Sequence, residues 1–214
     1  MNVQTQPVKE HPVKRSPLLC STFRTPSFLA GLLLGAVLLL TGCASSNVVP
    51  LHYPTQLQNF PWCRWDLTVT AFADQRSAPQ VLGARDEQTR YMAGADVGDW
   101  VTRAVFEEMK ARGCACTYAK TAEQAGTGFV ISGQILQMQL DKVGLSTWKT
   151  QMKVRYVLTR NGQQLYAATH TGVVERPIVL KENAPSEILA EGLQDITIQA
   201  VEAMIPAMEK VQAF

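Results

Sequence analysis

The sequence predicts an α+β domain, a mainly antiparallel sheet of about five strands with two helices packed on one face. Three observations carry that expectation. Between Trp148 and Leu158, apolar and polar side chains alternate with the period of two that a half-buried strand requires. Two further stretches, one after Asp96 and one after Asn183, repeat apolar residues every three or four positions, the spacing of a helix with one buried stripe. Asn161-Gly162 stands between two alternating runs, where both residues tolerate the positive φ of a type I′ turn and so join antiparallel neighbours.

Residues 1–42 are not expected to join this domain. Lys9, Lys14, Arg15 and Arg24 precede an apolar run from Phe28 to Leu40, which is 13 residues long. A membrane span needs about 20. Basic residues, a short apolar core and then small residues make a secretory leader that is removed. Residues 43–61 mix Pro, Ser, Asn and Gln without sustained period and read as a tether. The domain proper is expected over 62–214.

Trp65 to Asp74 sets Leu67, Val69 and Ala71 against Thr68 and Thr70, a first strand. A loop of about twenty residues follows, a length usually functional or mobile. Val97, Trp100, Val101, Ala104, Val105 and Met109 then form one helical stripe, with Asp96 or Asp99 as N-cap and Gly113 as the left-handed residue that ends it. Arg103, Glu107, Lys110 and Arg112 make its solvated side. Cys114 to Ala119 is a second strand and Phe129 to Leu140 a third. Phe129 and Ile131 share one face of the third strand, whereas Leu136, Met138 and Leu140 share the other, so a bulge is expected between Gly133 and Leu136. The fourth strand places Trp148, Met152, Val154, Tyr156 and Leu158 inward and Lys149, Gln151, Lys153 and Arg155 outward. The fifth follows the Asn-Gly turn. The last helix has Asn183 as cap, Pro185 in its first turn, and Leu189, Leu193, Ile196, Ala200 and Met204 along one side; Pro206 is expected to kink or end it.

Without its leader the chain holds 16 basic and 17 acidic residues, a net charge of −1. This balance argues against nucleic acid as a partner, since counterion release needs a dense basic surface. Cys63, Cys114 and Cys116 are an odd number of thiols for an oxidising compartment. Two arrangements stand open: a bridge from Cys63 to Cys114 or Cys116, or three buried thiols. Cys-x-Cys with no His at ligand spacing does not make a zinc site, and no cofactor is expected. His52 and His170 have no sequence-adjacent partner for nucleophilic chemistry, and Gly126 to Gly128 lacks the lysine of a phosphate loop, so no catalytic residue is assigned.

Leu40-Thr41-Gly42-Cys43 resembles the lipobox of bacterial lipoproteins. The resemblance implies that the Cys43 thiol, the one side chain able to form the thioether, receives diacylglycerol and becomes the mature N-terminus. Several acyl chains on one residue hold a protein to a bilayer far more firmly than one. The resemblance further implies a Gram-negative envelope protein. Ala44 and Ser45 follow where an Asp would signal inner-membrane retention, which implies the periplasmic face of the outer membrane.

A second resemblance starts at "FADQRSAPQVLGAR", with Asp74-x-Arg76 and Leu82-Gly83, and continues in a Trp-bearing helix ending Lys110-x-Arg112-Gly113. These residues resemble the YajG-type envelope lipoproteins, a group related in architecture to auxiliary lipoproteins of ABC transport systems. The implied role is that of a non-enzymatic accessory or assembly component of the envelope, acting through surface loops on a protein partner or a second copy. The rival is an auxiliary subunit of a lipid-transporting ABC system, which requires an apolar groove between sheet and helices. A cell-wall hydrolase lacks its catalytic residues here. Asp74 and Arg76 are expected to close the loop backbone locally, with contact to a partner as the functional alternative. Lys149, Lys153 and Arg155 read as a solvated sheet face that could also meet an anionic surface.

Overall fold

The computed structural model describes residues 47–55, 63, 65–144, 146–177 and 184–212. The expected leader, Cys43 and the expected cap Asn183 lie outside the described residues.

Nine strands, two α-helices and a single-turn 3-10 helix at Ala122–Ala125 are present among those residues. The strands and α-helices are β1 Val48–Val49, β2 Asp66–Thr70, β3 Ala73–Asp74, β4 Val81–Ala84, β5 Arg90–Ala93, α1 Val97–Ala111, β6 Ala115–Ala119, β7 Phe129–Val143, β8 Thr147–Arg160, β9 Gln163–Pro177 and α2 Ala184–Gln212. The larger sheet has the order β6-β2-β7-β8-β9, with β3 also paired to β7. β7, β8 and β9 form the antiparallel meander that the Asn-Gly turn requires, with φ of 51° at Asn161 and 77° at Gly162.

The expectation of a mainly antiparallel sheet is corrected here: the sheet is mixed. β2 runs parallel to both β6 and β7. α1 returns the chain to its starting end, so β6 leaves in the direction of β2, as a helical crossover does. Alternation of side chains reports that a strand has two faces, not the direction of its neighbour. A second correction concerns the loop from Asp74 to Asp96. It contains β4 and β5, which join β1 in a small sheet of order β1-β5-β4. Four-residue strands are too short to register as alternation.

The alternating side chains Trp148, Thr150, Met152, Val154, Tyr156 and Leu158 of β8 are buried. Their apolar members share one core with Trp100, Val101, Val105 and Met109 of α1 and with Leu189, Leu193, Ile196 and Met204 of α2. Asp96 caps α1, its Oδ1 accepting the Asp99 N–H at 2.8 Å, and Gly113 ends the helix at φ 86°. α2 continues through Pro206, which is exposed, so the N–H that proline lacks is missing on the solvent side and the helix does not end there.

Two glycines set the packing. Gly133 pairs with Tyr156 across β7 and β8. The Phe72 ring covers it, with its centroid 5.5 Å from that of Tyr156, in the space a Cβ at 133 would fill. Gly192 lets α2 approach β8, since a Cβ there would stand 3.1 Å from Thr150 Oγ1. The predicted bulge in β7 falls between Ile135 and Gln137. Leu136 is the extra residue and is exposed, whereas the sequence pattern puts it on the same face as Met138 and Leu140.

Candidate functional site

Cys43, the residue that resembles a lipid acceptor, lies four positions before the first described residue. The chain beyond it does not hang free. Residues 47–55, within the stretch 43–61 expected to be a tether, form a strap across the domain. The Met92 and Gly94 N–H groups donate to the Asn47 and Val49 carbonyls, each at 2.9 Å, and β1 pairs in parallel with β5. The strap then passes over both helices. Trp100 Nε1–H of α1 donates to the His52 carbonyl at 2.9 Å, and the Ser186 hydroxyl of α2 donates to the Pro50 carbonyl at 2.5 Å. Gln194 Nε2 reaches the Pro54 carbonyl at 3.1 Å.

Tyr53 ends the strap's hold. Its hydroxyl donates to Glu108 Oε1 at 2.6 Å, and Glu108 Oε2 holds Arg112 Nη1 at 2.6 Å in a buried ion pair. Burial, then the hydrogen bond to Glu108, pushes the Tyr53 phenol far above its ordinary range. The phenol therefore stays a neutral donor, matched to the carboxylate it faces.

Asp74 and Arg76 come together as a planar fork. Arg76 Nε donates to Asp74 Oδ1 at 2.9 Å and Nη2 to Oδ2 at 2.7 Å, with both side chains largely buried. Nη1 also donates to the carbonyls of Val81 at 3.0 Å and Met138 at 3.2 Å, and Nη2 to that of Pro79. All five guanidinium N–H groups thus find acceptors inside the domain. The pair fastens the β3–β4 connection to β7.

Cys63 and Cys114 are joined in a disulfide, with Cα atoms 4.7 Å apart. Cys116 is the free thiol, half-buried, its pKa pushed up to about 12 by burial. A thiol in that condition is a poor nucleophile. His170 Nε2 lies 2.7 Å from the Tyr166 hydroxyl, and burial lowers the imidazole pKa, which keeps it neutral. His52 Nδ1 is 2.9 Å from Ser186 Oγ, but that hydroxyl is already committed to the Pro50 carbonyl. Among the described residues no group of three His, Cys, Asp or Glu could hold a metal, and no helix is long and apolar enough to cross a membrane.

On the outer face of the sheet, Lys149 pairs with Glu175 at 2.8 Å, while Lys153 and Arg155 are exposed. A cleft of about 470 Å³ is lined by Asp99, Thr102, Arg103, Phe106, Glu107 and Tyr118, between α1 and the β6 edge. Sequence reasoning missed the strap. Its contacts run mainly through backbone carbonyls, which carry no side-chain signature.

No family model and no curated protein matches the sequence. Among solved structures the fold is similar to that of protein XCC0632 from Xanthomonas campestris, described under the family model DUF330. The TM-score is 0.59 at 14% identity, over 79% of this chain and 100% of that one. At that identity the likeness concerns the fold alone. A hypothetical protein, CT253, from Chlamydia trachomatis has a TM-score of 0.44 at 9% identity, over 66% of this chain and 96% of that one. A minor lipoprotein from Acinetobacter baumannii has a TM-score of 0.39 at 14% identity, over 67% and 94%. Neither of these two is similar enough to carry an argument.

Proposed function

We propose that the chain is a lipid-anchored envelope lipoprotein of YajG type, held through Cys43 at the periplasmic face of the outer membrane. It works there without catalysis, as an accessory or assembly component that contacts an envelope protein or a second copy of itself. The observation that carries this reading is Leu40-Thr41-Gly42-Cys43 at the end of a 13-residue apolar run, directly before a folded domain. The titratable groups of the domain support the non-enzymatic part, because the described histidines, the free thiol and the Asp74–Arg76 pair are each committed to internal partners or held in unreactive form. The transport rival needs an apolar groove between sheet and helices. That space is taken by Trp100, Trp148, Tyr156, Met152, Leu193 and Met204, none more than 8% exposed.

Radiolabelled palmitate tests the anchor. Wild type should incorporate label and sediment with the outer membrane, and Cys43→Ser should incorporate none and accumulate as uncleaved precursor, because a hydroxyl does not replace the thiolate in this alkylation. Label in the variant would end the assignment.

A further inference from the structure

We propose, resting on the Cys43 anchor above, that one pole of the domain lies against the bilayer that holds the lipid. This is the pole formed by the β4–β5 and β7–β8 turns. Strand register places the start of the strap there. β1 runs parallel to β5, so Asn47 stands at the turn end of the β4–β5 hairpin, its side-chain amide donating to the Arg90 carbonyl at 3.0 Å. β4 runs along β7. Arg76 Nη1 bridges the Val81 and Met138 carbonyls, and the Ala84 N–H donates to Asp141 Oδ1 at 3.1 Å. The turn after Ala84 and the turn at Gly144 therefore point to the same end. Pro177, paired with Thr147, belongs to that end as well.

The opposite pole carries Asn161-Gly162 and the last turn of α2, where Arg160 Nη1 donates to the Val211 carbonyl at 3.3 Å. The 14 residues of β8 separate the two poles, roughly 45 Å at the rise of a strand.

Three residues, Ala44 to Ser46, separate Cys43 from Asn47. Fully extended, the step from Cys43 to Asn47 covers at most about 14 Å. An acylated Cys43 is held at headgroup depth, and the headgroup region on one side is itself about 5 to 8 Å thick. The docked strap has removed the slack that a free tether through residue 61 would have given. Val48 and Val143, each 49% exposed, present apolar side chains at this pole. Charge there is mixed, Lys142 and Arg90 against Asp86 and Glu87, all exposed. The reach of the chain, not net attraction, sets the placement.

The test uses the acylated full-length mature protein, purified from bacterial membranes and reconstituted in phosphatidylethanolamine–phosphatidylglycerol vesicles that carry a headgroup spin label. A fluorophore is attached in a Cys116→Ser background at Val143→Cys or, at the far pole, at Gln163→Cys; both positions are exposed. Expected is loss of most emission at 143 and little at 163. A flexible ten-residue Gly-Ser insertion between Ser46 and Asn47 should restore emission at 143 while the protein still floats with the vesicles. An acylated, floating protein quenched equally at both positions, or more at 163, overturns the placement and leaves the anchor standing. A purified protein that carries no acyl chain by mass spectrometry overturns both.

Discussion

Arg76 shows what one side chain does when every donor is used. The side chains of Arg76 and Asp74 are only 8% and 12% exposed, so desolvation offsets much of their attraction, but removing one partner costs far more than it would at the surface. Arg76→Ala would take the guanidinium from the buried Asp74 carboxylate and a donor from each of the Val81, Met138 and Pro79 carbonyls. We expect a loss of about 3 to 5 kcal/mol of unfolding free energy, the usual result of breaking a buried pair, read by urea denaturation. Arg76→Lys should recover little, since an ammonium lacks the planar fork. The types and spacing of Asp74-x-Arg76 were legible in the sequence. Its burial was not, because that depends on Val81 and Met138, brought alongside only by the tertiary fold.

At the scale of elements, α1, β8 and the Asn-Gly turn were legible because each carries its own periodicity or its own φ requirement. The parallel neighbours of β2, the short strands β4 and β5, and the strap were not legible. Pairing direction is a property of two segments together, and backbone carbonyls look alike at every position. Trp100 joins both kinds of element: its ring sits in the stripe of α1 and its Nε1–H holds the strap at His52. Trp100→Ala should lower stability by about 3 to 5 kcal/mol, the cost of emptying a core aromatic site. The denaturant midpoint should fall without a change in slope, and mass spectrometry of the purified domain should find no co-extracted phospholipid. A nearly unchanged midpoint with bound phospholipid would support the transport rival instead.

For the whole molecule, the Cys63–Cys114 disulfide spans a sequence separation of 51 residues and ties the entry of β2 to the exit of α1. In the chain-entropy picture a loop of that size contributes about 4 kcal/mol. Reduction should therefore shift the unfolding midpoint downward by a corresponding amount. Alkylation at pH 8 without reductant should modify one thiol, Cys116, slowly in the native protein because its pKa is pushed up to about 12, and rapidly once the protein is unfolded. Two or three modified thiols would contradict the bridge. The strap also decides how the molecule answers to force. Tension applied to Asn47 along the axis of β1 strains the bonds from Met92 and Gly94 together in shear, before it reaches those from Trp100 and Gln194 farther along the strap. The first two do not open one after another as in a peeled hairpin. A pull on the N-terminus therefore meets its highest resistance at the first few ångströms of extension, and the domain stays intact until β1 gives way as a unit.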